Sequence, residues 1–164
     1  MSHDAHFTHA PMVRFERPLA GAPQAVWQVL TDIARLPGWY GSGTFEGKVG
    51  GAVRLMGGHI RGTVTHWQPP RKLSYTWNVF GSGDASPYPE SYLTLELAAQ
   101  GGGTLLTLTH LPVLERFETA NAMGWHTYLD MIDAAVRGAP VEAREVYAKR
   151  NAERYGVDLA NLPR

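Results

Sequence analysis

The chain reads as an α+β protein: a curved antiparallel sheet of about six or seven strands wrapped around a long C-terminal helix, with two short helices after the first strand. Three observations carry this reading. Between residues 44 and 111 apolar residues alternate with polar ones in short runs punctuated by Gly-Gly and Pro-Pro pairs, the pattern of successive strands joined by turns. From about 119 to 137 the period changes to roughly 3.6 residues, that of a helix with one apolar face. Ahead of both, a helical spacing over 23–36 follows a first strand.

Taken in order, residues 1–10 are polar and aperiodic, with His3, His6 and His9 three apart, and read as a flexible tail. MVRFERPL alternates as a strand that Pro18 ends or confines to a sheet edge. In GAPQAVWQVLTDIARLPGWYG, Pro23 suits a first helical turn, and Val26, Trp27, Leu30, Ile33 and Leu36 recur at three- and four-residue steps. Thr31-Asp32 splits that run into two short helices, and Pro37-Gly38 stops it. The strands that follow are separated by glycine pairs at 50–51 and 57–58 and by Pro69-Pro70.

GSGDASPYPE, residues 81–90, has no period and reads as a loop long enough to reach over something. SYLTLELAAQ and GTLLTLTHL form a hairpin around Gly101-Gly102-Gly103, with Leu93, Leu95 and Leu97 on one face and Tyr92, Thr94 and Glu96 on the other. The long helix then presents Trp125, Leu129, Ile132 and Val136 along one face before Gly138 ends it. The division is a tail over 1–10, a domain over 11–138, and a charged helix and tail over 139–164. Charges in that last helix read as a solvated face, while Val146, Tyr147 and Tyr155 can dock it on the domain or on a second copy, a homodimer.

Composition narrows the function. Lys+Arg and Asp+Glu are balanced at 15 each, so neither nucleic acid nor another polyanion is suggested as a partner. The absence of cysteine removes disulfides, thiolate catalysis and Cys-based metal sites. No stretch approaches the roughly 18 apolar residues of a membrane span, and the N-terminus lacks a signal-peptide pattern, so no membrane partner and a cytoplasmic location are expected. GSG, GKVGG and GGG lack the Lys-Ser/Thr ending of a phosphate-binding loop; no nucleotide or other cofactor is implied.

If the leucines of TLLTLTHLPV face the core, so does His110 at the end of the same stripe. A buried imidazole needs both a donor and an acceptor partner, with Tyr75, Tyr128, a water or a ligand as candidates. Catalyst, metal ligand, ligand-binding group and satisfied interior histidine all stay open at this point. Against catalysis, the inward stripes contain no carboxylate, and Glu46, Glu90 and Glu96 come into play only if the strand faces are assigned wrongly. No Gly-x-Ser-x-Gly turn occurs. A metal would need His59, His66, His110 and His126 to converge with a carboxylate, yet His126 sits about 100° around the helix from inward-facing Trp125. No metal site is expected.

The segments VRFERPLAGAPQAVWQVLTDIARLPGWYG, GTVTHWQPPRKLSYTW, LTLELAAQGGGTLLTLTHLPV and MGWHTYLDMIDAAVRG together resemble the helix-grip proteins of the SRPBCC, or START-related, superfamily. Within it they resemble the branch named after the activator of the heat-shock-protein-90 ATPase. The resemblance spans residues 12–138 and implies a sheet gripping the C-terminal helix with a cavity between them. Such folds host carriers, cyclases, hydrolases, sensors and chaperone partners, so the resemblance leaves function to the site.

The expected site is that cavity, with Trp39, Tyr75, Trp77, Leu95, Leu108, His110, Trp125, Tyr128 and Leu129 around a small hydrophobic or aromatic molecule. Tyr and Trp offer a broad apolar body with one polar tip, which suits such a ligand. They suit a filled core equally. A binding protein rather than an enzyme is the first expectation. A polyketide cyclase- or dehydratase-like enzyme using the same cavity is the second, and a co-chaperone-like ATPase activator that binds a protein partner is the third.

Overall fold

The computed structural model describes residues 4–80 and 85–163. Its centre is a seven-stranded antiparallel sheet in the order β1-β7-β6-β5-β4-β3-β2. The strands are β1 (Val13–Leu19), β2 (Gly43–Phe45), β3 (Ala52–Leu55), β4 (Ile60–Gln68), β5 (Lys72–Val79), β6 (Ser91–Gln100) and β7 (Gly103–Leu111). The helices are α1 (Pro23–Thr31), α2 (Glu118–Val136) and α3 (Arg144–Tyr155), with 3-10 turns at Leu36–Gly38, Met56–Gly58 and Glu115–Phe117. This is the α+β helix-grip arrangement.

Local chemistry accounts for most element ends. β6 and β7 pair to Gln100↔Gly103, which leaves Gly101 and Gly102 as a two-residue turn with φ of 54° and 84°. Two positive φ values match the right-handed twist of the flanking strands, and glycine adopts them without steric cost. Pro18 lies within β1, an edge strand, where its missing N–H breaks no ladder bond on the open side. Between β4 and β5 the register shifts at Val64/His66. Nearby, a Cβ at Gly62 would collide with the carbonyl of Thr76, so the two backbones meet there without room for a side chain.

The inner face follows the alternation. Val53, Leu55, Leu73, Tyr75, Leu93, Leu95, Leu97, Leu106, Leu108 and His110 are all buried, with Trp125, Tyr128, Leu129 and Ile132 of α2 in the same core. Each large apolar side chain removed from water there contributes about 1.5 to 3 kcal/mol. One expected core position differs: Ile33 is 52% exposed, because α1 ends at Thr31 and Ile33 falls in the turn beyond its apolar stripe.

α2 is buried on more than one face, and α3 is the reason. Tyr147, Asn151 and Ala152 of α3 are buried against α2, with Asn151 Nδ2 donating to Thr127 Oγ1 at 3.1 Å and to Asp130 Oδ2 at 3.0 Å. His126 Nδ1 lies 2.8 Å from the Tyr155 hydroxyl, and Arg17 of β1 donates to Asp130 at 2.9 Å. α3 therefore docks on the domain along Tyr147, Asn151 and Tyr155, while Val146 is exposed. No helix among the described residues is long and apolar enough to cross a membrane.

Candidate functional site

A cavity of about 270 Å³ opens where the ends of β5, β6 and β7 meet the segment leading into α2. Trp77 and Val79 form one wall, Ser91 and His110 the floor, and Pro112, Val113, Leu114 and Phe117 the side toward α2. Ala120 and Asn121 of α2 complete it, with Tyr88 and Pro89 at the rim. Tyr88 and Pro89 belong to the expected loop over 81–90, of which residues 81–84 lie outside the described residues. Among the described residues the lining contains no carboxylate and no cationic side chain.

His110 is the last inward residue of β7, paired with Leu93 of β6 and Val13 of β1. Its ring is 4% exposed and all its partners are neutral: Ser91 Oγ lies 2.7 Å from Nε2, and Trp125 Nε1 donates to Nδ1 at 3.0 Å. Burial pulls its pKa down to about 4, so the ring is neutral at pH 7.

The hydrogen-bond order then follows from one fact. An indole N–H can only donate, so Nδ1 supplies the lone pair and the ring proton sits on Nε2. Nε2–H donates to Ser91 Oγ, and the Ser91 hydroxyl in turn donates to the Trp77 carbonyl at 3.3 Å. In this order His110 has no free lone pair with which to take a proton from Ser91. The pair is a structural relay rather than an activated nucleophile.

Beyond Trp77 lies a second, open groove of about 780 Å³, reached by Tyr40, Met56, His59, Tyr128 and Arg144. Trp77 and Val79 line both spaces, so they form the partition between them. Arg144 Nη1 donates to the Tyr128 hydroxyl at 2.9 Å. Burial raises the Tyr128 pKa, and Arg144 opposes that shift. Tyr40 stacks on Trp39 at 4.4 Å; its hydroxyl is buried without a partner among the described residues, and burial first, then the Tyr75 and Tyr128 phenols, raise its pKa well above the ordinary value.

Of the residues expected around a ligand, Trp77 and His110 line the cavity and Trp77 and Tyr128 line the groove. Trp39, Tyr75, Leu95, Leu108, Trp125 and Leu129 line neither; they are packed in the core. The Trp39 indole is spent on the Val29 carbonyl at 2.7 Å, and the Trp125 indole on His110. Two cavity residues were missed although their signals were present. Ser91 shares the parity of Leu93 and Leu95, and Asn121 precedes Trp125 by four residues, one helical turn on the same face.

The titratable groups weighed earlier lie elsewhere. Glu90 accepts from Asn78 at 2.9 Å, Glu96 faces Lys72 at 3.5 Å, and Glu46 is exposed. His59 borders the groove, His126 faces Tyr155, and among the described residues no three His, Asp or Glu side chains gather as a metal site.

The overall arrangement recurs in solved structures. CalU16 from Micromonospora echinospora is 24% identical, with 90% of this chain and 87% of that chain covered at a TM-score of 0.71. An HSP90 activator from Plasmodium falciparum is 22% identical, with 79% and 97% covered and a TM-score of 0.62. The Aha1 dimer from Colwellia psychrerythraea is 19% identical, with 77% and 96% covered and a TM-score of 0.60. No curated protein matches the chain. Residues 21–137, most of the folded domain, match the family described as Activator of Hsp90 ATPase homolog 1-like protein. The chain therefore belongs to that family, a branch of the SRPBCC helix-grip superfamily.

Proposed function

We propose that the protein binds a small apolar or aromatic molecule in the cavity between β5–β7 and the start of α2. The observation that carries this reading is a mainly apolar space of about 270 Å³ with a few convergent polar groups, Ser91, His110 and Asn121, at one end. That combination of an apolar body and a few orienting polar atoms is what small-molecule sites present. An apolar cavity of about 150 Å³ accepts a benzene ring, so the present volume suits a fused pair of rings.

Turnover of the cyclase or dehydratase kind finds less support. Proton transfer needs an acceptor at the reacting atom, and the lone pair of His110 is engaged by Trp125 while no carboxylate among the described residues borders the space. The test is a titration of fused-ring aromatic compounds followed by tryptophan emission and calorimetry. Saturable binding with one site per chain is expected, and no binding of any such compound up to its solubility would overturn the reading.

Family membership favours a second reading, activation of an Hsp90-type ATPase through a protein contact. Its test is the ATPase rate of an Hsp90 partner with and without this chain, with stimulation expected if the reading holds.

A further inference from the structure

The open groove on the far side of Trp77 differs from the cavity in one respect: it carries a cation. Met56, Ile60, Trp77 and Val79 give it an apolar wall, and Tyr40 and Tyr128 add two aromatic rings. Among the described residues its lining holds no carboxylate, and its one permanent charge is Arg144. Arg144 is the first residue of α3 and lies beyond residues 21–137, so the cation comes from the C-terminal helix and not from the part of the chain that matches the family.

The guanidinium is anchored at the groove wall. Its Nη1 donates to the Tyr128 hydroxyl at 2.9 Å, and that hydroxyl reaches Met56 Sδ at 3.9 Å, all three residues lining the groove. Its Nε and Nη2 have no hydrogen-bond partner among the described residues, and the adjacent Glu145 makes no ion pair with it. Those two nitrogens form the edge of the guanidinium whose N–H bonds run parallel, the edge that meets a carboxylate through two bonds at once. Arg144 is an exposed residue, so a ligand reaches it from solvent.

We propose that the groove is a second binding site, distinct from the cavity, and that it takes an organic carboxylate: a flat apolar body against Trp77, Ile60 and Tyr128, with the carboxylate on the Nε–Nη2 edge of Arg144. An ion pair in open water gains little, but a ring laid along the apolar wall covers one side of the pair and brings the carboxylate to a guanidinium already held in place. The two spaces on either side of Trp77 thereby select by charge, since the cavity lining has no cationic side chain among the described residues.

Calorimetry on the full chain at pH 7 with 2-naphthoate and 2-methylnaphthalene tests this, because the two probes share the ring system and differ in the charged group. 2-Naphthoate is expected to bind the natural protein and to bind Arg144→Gln and Arg144→Met about five- to tenfold more weakly, with Arg144→Lys in between because it keeps the charge and loses the fork. The affinity for 2-methylnaphthalene is expected to be the same in all four proteins, and thermal unfolding reports that the variants fold. No binding of 2-naphthoate to the natural protein, or equal binding to the natural protein and the Gln and Met variants, would overturn the second site and leave cavity binding standing. An Arg144-dependent affinity for 2-naphthoate together with no binding of 2-methylnaphthalene would support the groove site and count against the cavity reading.

Discussion

The ring of Trp77 lies 5.3 Å from that of His110, with the planes at 59°, and together they bound the cavity. The same indole sits 5.2 Å from Trp125 and lines the open groove on its other side. One side chain thus senses both spaces, and replacing it separates binding from fold.

A ligand entering the cavity changes the surroundings of the Trp77 indole directly. Trp77→Phe is expected to remove most of the ligand-induced change in emission. Trp67→Phe, at a residue packed against Trp27 at 5.1 Å and outside the cavity lining, leaves the change intact. Titration of both variants with one fused-ring probe checks this.

Acid should destabilise the fold through His110. Its folded pKa is about 4 against an ordinary 6.5, so between these values the unfolded chain takes up a proton that the folded chain refuses. The contribution is fully present above pH 6.5, declines by about 1.4 kcal/mol per pH unit as pH falls, and levels off below about pH 4 after a loss of about 3 kcal/mol. Urea unfolding from pH 4 to 7 is expected to show a shallower slope in His110→Gln than in the natural protein. Burial of His126 lowers its pKa in the same direction, which is why the difference between the two proteins is the quantity to read.

Ser91 Oγ accepts a hydrogen bond from His110 Nε2–H in the interior. Ser91→Ala leaves that donor without its partner, and a loss of about 1 to 3 kcal/mol in unfolding free energy is expected. Because the serine is assigned no nucleophilic role, Ser91→Ala should retain the binding of 2-methylnaphthalene in calorimetry.

Asn151 ties α3 to α2 through Thr127 and Asp130 and is 1% exposed. Asn151→Ala removes three hydrogen bonds, the third being the one that Arg154 Nε donates to Asn151 Oδ1 at 3.3 Å, and takes from the buried Thr127 hydroxyl its amide donor. A stability loss of about 2 kcal/mol by urea unfolding is expected, together with faster amide exchange across α3. An unchanged exchange pattern would mean that Tyr147 and Tyr155 hold α3 without Asn151.

How far the residues could be read one by one depended on the range of the interaction. The alternation Leu93, Leu95, Leu97 and Leu106, Leu108, His110 assigned the inner face correctly because side-chain direction in a strand has period two and needs no partner to define it. The helical stripe through Trp125, Leu129 and Ile132 was legible for the same local reason. Ile33 misled because helical spacing continued past the point where Asp32 leaves the helix, its backbone extended at ψ 118°.

Local order along the chain thus determined the strands, the turns, the long helix and the inward direction of His110, since each rests on neighbours a few residues away. Tertiary structure alone decided which inward aromatics fill space and which border it. The Trp125–His110 and Ser91–His110 contacts join residues 15 and 19 positions apart, and the Leu111–Phe117 connection that walls the cavity has no period to read. Volume left between side chains from separate elements is a property of their packing, and packing is settled only when all of them are in place.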